Sequence, residues 1–147
     1  GIAAMLAVPM FSSAADSQLQ AAAALIAADL DYAKNLAITR SMTVTVVFDA
    51  GAESYQVQDS GAVVLSHPTK AGASFRMNFA SDNRTSQVNI TAANFDGNSS
   101  ITFDYLGSPY SGTTTATAMT SGQIALSAGT YSTTVTVEPV TGYIQIP

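Results

Sequence analysis

Residues 16–40 read DSQLQAAAALIAADLDYAKNLAITR and residues 43–49 read TVTVVFD, and the change of period between them decides the fold. In the first stretch, apolar side chains recur at Leu19, Ala22, Ala23, Ile26, Leu30, Ala33 and Ala37, with Leu36 on the flank. Steps of three and four residues place them on one face of a helix. Gln20, Asp31, Lys34 and Asn35 fall mostly elsewhere. Ala and Leu are strong helix formers, and Asp16 and Asp29 precede Lys34 and Arg40, the order the helix dipole favours. In the second stretch, β-branched residues alternate with period two, the signature of a strand.

Toward the N-terminus, GIAAMLAVPMF (1–11) carries no charge and continues the helical pattern. One helix is expected from near Ile2 to about Arg40, roughly 60 Å long at 1.5 Å per residue, against the usual three or four turns. Pro9 removes an intrahelical hydrogen bond, so a kink or a locally melted turn is expected around Leu6 to Pro9. Residues 1–11 are too few to span a bilayer, which takes about 20 apolar residues. They have no basic flank and no cleavage site before the polar region, unlike a signal peptide.

Toward the C-terminus, short alternating runs follow at 55–59, 63–66, 73–80 (with Phe75, Met77 and Phe79 on one face), 87–92, 100–106, 123–127, 132–139 and 141–147. Turn signals separate them at AGAES, SGA, DGN, GSPYSG and AGT. GTTTATAMTSG (112–122) is low in complexity and reads as an exposed loop or edge strand. The fold class is therefore α+β: residues 1–42 form an N-terminal helix, and residues 43–147 form a β-rich head built as an antiparallel sheet or sandwich.

The 147 residues suffice for one domain, or one domain with an appendage. Charged residues make up 10%, against a usual share of about 25%. Their place is taken by 17 Ser and 17 Thr, a hydroxyl-rich surface suited to an extracellular protein that packs against identical neighbours. With a net charge of −5, two Lys, three Arg and no run of basic residues, no nucleic-acid partner is expected. The absence of Cys removes disulfides, thiol catalysis and Cys-ligated metals.

The remaining chemistry reads as structural. His67, the single histidine, precedes Pro68 in a loop and lacks identifiable partners for a triad or a metal site. Asp49, Glu53, Asp59, Asp82, Asp96 and Asp104 are scattered, mostly in turns, where local hydrogen bonding explains them. DGNSS (96–100) resembles a calcium loop but lacks the alternating acidic ligands and the terminal Glu. Asn83, Asn89 and Asn98 each begin an Asn-x-Ser/Thr acceptor pattern and are candidate glycosylation sites, as are the hydroxyls of 112–121 for O-linked glycans. No phosphate loop, nucleophile elbow or redox motif occurs. The chain is read as a non-enzyme without metal or cofactor, and a hydrolase using a carboxylate pair remains the catalytic alternative.

Several stretches taken together resemble a family. Gly1-Ile2-x-Ala4-x-x-x-x-Pro9, leading into a long Ala-rich helix, is similar to the second half of the N-terminal segment of type IV pilins and type II secretion pseudopilins. AADLDYAKNLAITRSMTVTVVFD (27–49), ITFDYLGSP (101–109) and TVTVEPVTGYIQI (134–146) resemble the GspH/FimT-type subgroup, with Lys34 where the subgroup often has Arg. The resemblance implies a pilin-like fold. It also implies a structural subunit that is anchored in the inner membrane before assembly and then packed with related pilins, or copies of itself, into an extracellular helical filament. Residues 1–15 would be the apolar filament-core part and 16–42 the amphipathic part, with Ile2, Met5, Leu6, Val8, Pro9, Met10 and Phe11 making core contacts. A minor, tip-located subunit that initiates assembly or binds cargo is the alternative. An apolar run upstream of Gly1, with a Glu near its start and a short basic leader before it, is expected in the encoded protein.

Overall fold

A computed structural model describes residues 13–147. The expected kink near Pro9 and the seven filament-core residues lie outside the described part. Helix α1 runs over Ser13–Arg40 and stops where the sequence reading put its end. Ser41 turns left-handed at φ 50°. The Ser41 and Met42 N–H groups then bond the Ile38 and Ala37 carbonyls at 3.3 and 3.0 Å, the paired bonds of a Schellman cap.

Nine strands follow: β1 (Val44–Asp49), β2 (Ser54–Asp59), β3 (Arg76–Asn78), β4 (Asn89–Phe95), β5 (Ser100–Phe103), β6 (Pro109–Ser111), β7 (Gly122–Ala128), β8 (Tyr131–Val137) and β9 (Ile144–Gln145). They form two antiparallel sheets, ordered β3-β2-β1-β5-β6 and β4-β7-β8-β9. β1 and β2 form a hairpin, with Val44 opposite Asp59 and Asp49 opposite Ser54. β7 and β8 form a second hairpin, with Gly122 opposite Val137.

Two readings need correction. GSPYSG contains a short strand, β6, which pairs with β5 through Phe103 opposite Pro109. A proline at the first position of an edge strand costs no ladder bond that the sheet needs. Residues 63–66 hold only single bridges, Gln58 to Val64 and Ser66 to Ser74. They form a connection bonded to β2 and to Phe75, the Leu65 N–H to the Val57 carbonyl and the Phe75 N–H to the Leu65 carbonyl, rather than a strand.

α1 packs against β1 and β5 of the first sheet and β7, β8 and β9 of the second. Every residue on its predicted inner face is buried: Leu19, Ala22, Ala23, Ile26, Leu30, Ala33 and Ala37. They meet Val44, Val46, Phe75, Phe79, Phe95, Phe103, Ile124, Leu126 and Val135 in one core. Alternate alanines on this face let the sheets come close to the helix axis, while the Leu and Ile between them fill the space. Phe75, Met77 and Phe79 are all buried, as their alternation predicts.

Candidate functional site

Helix α1 has two unlike faces. Opposite the buried face, Ser17, Ala21, Ala24, Ala28, Asp31, Asn35 and Ile38 are exposed. The outer stripe is thus small and neutral over its first three turns, where Ala21, Ala24 and Ala28 stand at helical spacing.

The helix is fixed to the head along its length. Gln18 accepts the Gln87 N–H at 2.8 Å. Tyr55 donates to the Asp29 carboxylate at 2.5 Å, and Tyr32 lies against Phe75 with ring centroids 5.7 Å apart. Burial pushes the Asp29 carboxyl above the usual carboxylate range, with the Tyr55 hydrogen bond and the charges of His67 and Lys70 opposing it. Burial, together with the Asp29 charge, holds the Tyr55 phenol well above its ordinary value.

At the far end, the turn Asp104–Gly107 and the turn Glu138–Gly142 close over the helix. Lys34 donates to the Gly142 carbonyl at 3.5 Å. Gly107 has φ +82°, and a Cβ there would stand 2.9 Å from Ile38 Cδ1. Gly142 has φ +68°, and a Cβ there would stand 2.8 Å from the Gly107 carbonyl oxygen. Both positions need glycine for backbone shape and for space. Tyr105, Leu106, Val140 and Tyr143 are exposed on these turns, beside Ile38.

The carboxylates serve turns. Asp49 accepts from Ala52 N–H, Asp59 from Gly61 and Val63 N–H, and Asp104 from Leu106 and Ser108 N–H and the Tyr110 hydroxyl. Glu53 accepts from the Ile90 N–H. Asp96, the head of the calcium-like stretch, is taken by Ser111 Oγ and by the Thr120 N–H and hydroxyl. These donors, the Ser111 hydroxyl foremost, hold its carboxyl down at about 2. No group of three His, Asp or Glu side chains that could hold a metal is found among the described residues. His67 accepts the Thr69 and Lys70 N–H groups at Nδ1 and lies 5.0 Å from the Phe75 ring, as a structural loop residue does.

Asn83, Asn89 and Asn98 are all exposed. The hydroxyls two residues on are already engaged or buried. Thr85 donates to the Phe79 carbonyl, Thr91 donates to the Ala125 carbonyl, and Ser100 is 6% exposed.

One grouping was invisible in the sequence. Lys70, Arg76 and Arg84, three of the five basic residues, line a single groove of about 590 Å³ together with Asn78 and Asp82. They are separated along the chain and come from a turn, an edge strand and a second turn, so no charge run announces them. Arg84 is pinned by Asp82 at 2.8 Å, and its guanidinium brings the Asp82 carboxyl down to about 2.

A long helix, apolar on its inner face and capped at one end, against a two-sheet antiparallel head defines a pilin-like protein. The model of the family described as type II transport protein GspH matches residues 22–141, and the chain belongs to that family. Two solved folds are similar. The type IV minor pilin FimU of Pseudomonas aeruginosa (strain PAO1) shares 16% identity at a TM-score of 0.54, over 88% of this chain and 92% of that one. The minor pseudopilin EpsH of the Vibrio cholerae type 2 secretion system shares 8% identity at a TM-score of 0.58, over 88% and 96%. At these identities the likeness carries the fold alone. No curated protein matches the chain by sequence. The family is one of structural subunits of pili and pseudopili rather than enzymes.

Proposed function

We propose that this chain is a subunit of an extracellular type IV pilus-like or type II secretion pseudopilus filament, assembled by packing of N-terminal helices. The observation that carries the reading is the two-faced helix. One face is consumed by the head, the other carries the small side chains Ala21, Ala24 and Ala28, and the uncharged stretch Gly1–Phe11 lies immediately upstream. Small side chains let helices approach closely, and an apolar segment is equally at home among lipid tails and among other apolar helices. Before assembly the segment would be held in the inner membrane. In the filament, Ile2, Met5, Leu6, Val8, Pro9, Met10 and Phe11 would contact neighbouring copies or related pilins, in a heterologous, non-closing assembly. Among the described residues no helix is long and apolar enough to cross a membrane, so membrane anchoring in this reading depends on residues outside that part.

The test is the double substitution Leu6→Asp and Phe11→Asp. Filaments should disappear while the melting of the head stays unchanged, and wild-type filament yield would defeat the reading. A second reading, a minor subunit that initiates assembly or binds cargo, is favoured by the similar structures, which are a minor pilin and a minor pseudopilin. The share of this chain in sheared filaments separates the two, because a major subunit dominates by mass. Glycans on Asn83, Asn89 or Asn98 would appear as added mass on the native protein.

A further inference from the structure

The groove that gathers Lys70, Arg76 and Arg84 runs along β3, the outermost strand of its sheet. Part of its main chain has an open side, although the Arg76 N–H is taken by the Ser74 carbonyl at 2.8 Å. Val57 N–H bonds the Phe75 carbonyl and Phe79 N–H bonds the Glu53 carbonyl, and Tyr55 faces Met77 in the ladder. Residues 75, 77 and 79 therefore turn their main-chain groups toward β2. By the alternation of an antiparallel ladder, the Arg76 carbonyl and the Asn78 N–H turn away from it. Arg76 and Asn78 are exposed. A second depression of about 440 Å³ shares Arg76, Met77 and Asn78 and continues across β2 to Val47 and Asp49 of β1.

The charge around this edge opposes the rest of the molecule. The groove holds three cations and one carboxylate, a net charge of +2. The other two cations and nine carboxylates of the chain leave −7 elsewhere. Asp82 occupies Arg84, with bonds to both the Nε and the NH2 group, so Lys70 and Arg76 are the cations left to meet a ligand. Short, charged edge strands commonly keep sheets from aggregating, which accounts for Arg76. That role does not account for Lys70, which a separate turn brings to the same place.

We propose that this groove receives an extended, carboxylate-bearing peptide segment of a partner protein, which adds to the sheet beside β3 and sets its acidic side chains against Lys70 and Arg76. Strand addition uses main-chain hydrogen bonds for affinity and alternate side chains for specificity, and a strand presents its side chains to one face at every second residue. A partner with alternating carboxylates fits both features. A long polyanion fits poorly, because two available cations give few phosphate contacts and the surrounding surface repels the rest. The proposal goes beyond the filament reading and does not depend on it.

The experiment is fluorescence anisotropy of a labelled Thr-Glu repeat octapeptide against the 147-residue chain at low salt. Saturable binding is expected, weakened about tenfold or more at high salt as screening removes the attraction. Arg76→Glu and Lys70→Glu should each weaken it by about tenfold or more, as expected for a lost charge contact, with unchanged melting. Two variants on different elements guard against a folding defect in one. A Thr-Gln peptide should not bind. The Thr-Glu peptide N-methylated at alternate residues should lose binding, although its charge is intact. No saturable binding of the Thr-Glu peptide would overturn the proposal. Equal binding of the N-methylated peptide would reduce the groove to an ionic surface. Tighter binding of an oligothymidylate would make it a nucleic-acid site. Salt-sensitive self-association lost in Arg76→Glu would assign it to a second copy of the chain.

Discussion

The two faces of α1 are built from similar residues and have opposite surroundings. Inward, Ala22, Ala23, Ala33 and Ala37 are at most 1% exposed, wedged between Leu19, Ile26 and Leu30. Outward, Ala21, Ala24 and Ala28 face solvent. The same side chain serves close approach to a sheet on one side and leaves a low-relief surface on the other. Changes to the inner face should therefore be felt in the stability of the head, and changes to the outer face only in what the helix packs against.

Leu30→Ala tests the inner face most severely. Leu30 is 1% exposed in the core, and its truncation should cost about 3 kcal/mol, the transfer term plus the cavity left behind. Chemical denaturation reads this directly, and a loss below about 1 kcal/mol would mean the helix is not the centre of the core. A matched pair comes next. Ala22→Leu overpacks a site that is 0% exposed and should cost about 1–3 kcal/mol. Ala24→Leu, two residues on, should leave melting within about 0.5 kcal/mol of wild type while lowering filament yield. Equal losses of stability in the two variants would erase the distinction between the faces.

The smallest effects are in pH dependence, where the helix and the loops should differ in sign. Asp96 has its carboxyl held at about 2, below the unfolded value of about 3.9. Its contribution is present above that unfolded value and is lost as pH falls from about 4 toward 2. Asp96→Asn should flatten this acid limb of the stability profile. Asp29, raised by burial, acts in reverse: its contribution is present below the unfolded value and is lost as pH rises through its higher folded value. Asp29→Asn should remove that fall, provided Tyr55 can still donate to the Asn oxygen. Thermal melts from pH 2 to 7 would separate the two, and slopes of the same sign would contradict the assignment.

The sequence made the helix legible because its apolar period is sustained from Leu19 to Ala37, about five turns, and its end is sharply marked by the switch to TVTVVFD. The strands of the first hairpin were legible for a related reason, with alternating runs on both sides of the AGAES turn. β6 was not, because Pro109-Tyr110-Ser111 sits among turn residues and is held by pairing with a strand it could not select locally. The run 112–122 was read as exposed, yet Met119 is 2% exposed, an anchor that composition alone could not separate from its Thr and Ala neighbours. The basic groove was hidden for a topological reason: residues 70, 76 and 84 meet only when the 67–72 turn and the 82–85 turn fold back on β3. Two glycines of the stretches 101–109 and 134–146, in contrast, have a concrete cause. Gly107 and Gly142 lie against each other and against the end of α1, where a side chain would strike backbone or Ile38.

That contact also sets the order of events as the chain is made. Lys34 and Gly142 are 108 positions apart, and β8 and β9, the last strands, form part of the wall on which α1 rests. Among the described elements, the helix that comes first is thus covered in part by the strands that come last. Until residues 131–145 arrive, Leu19, Ile26 and Leu30 have only part of their final cover, so a nascent or interrupted chain presents a sticky helix. Closing contacts of such long sequence separation slow folding and prolong the interval in which that face can be captured by another surface. A chain shortened before Gly142 would lack the closing turn over α1 and would leave more of that face uncovered.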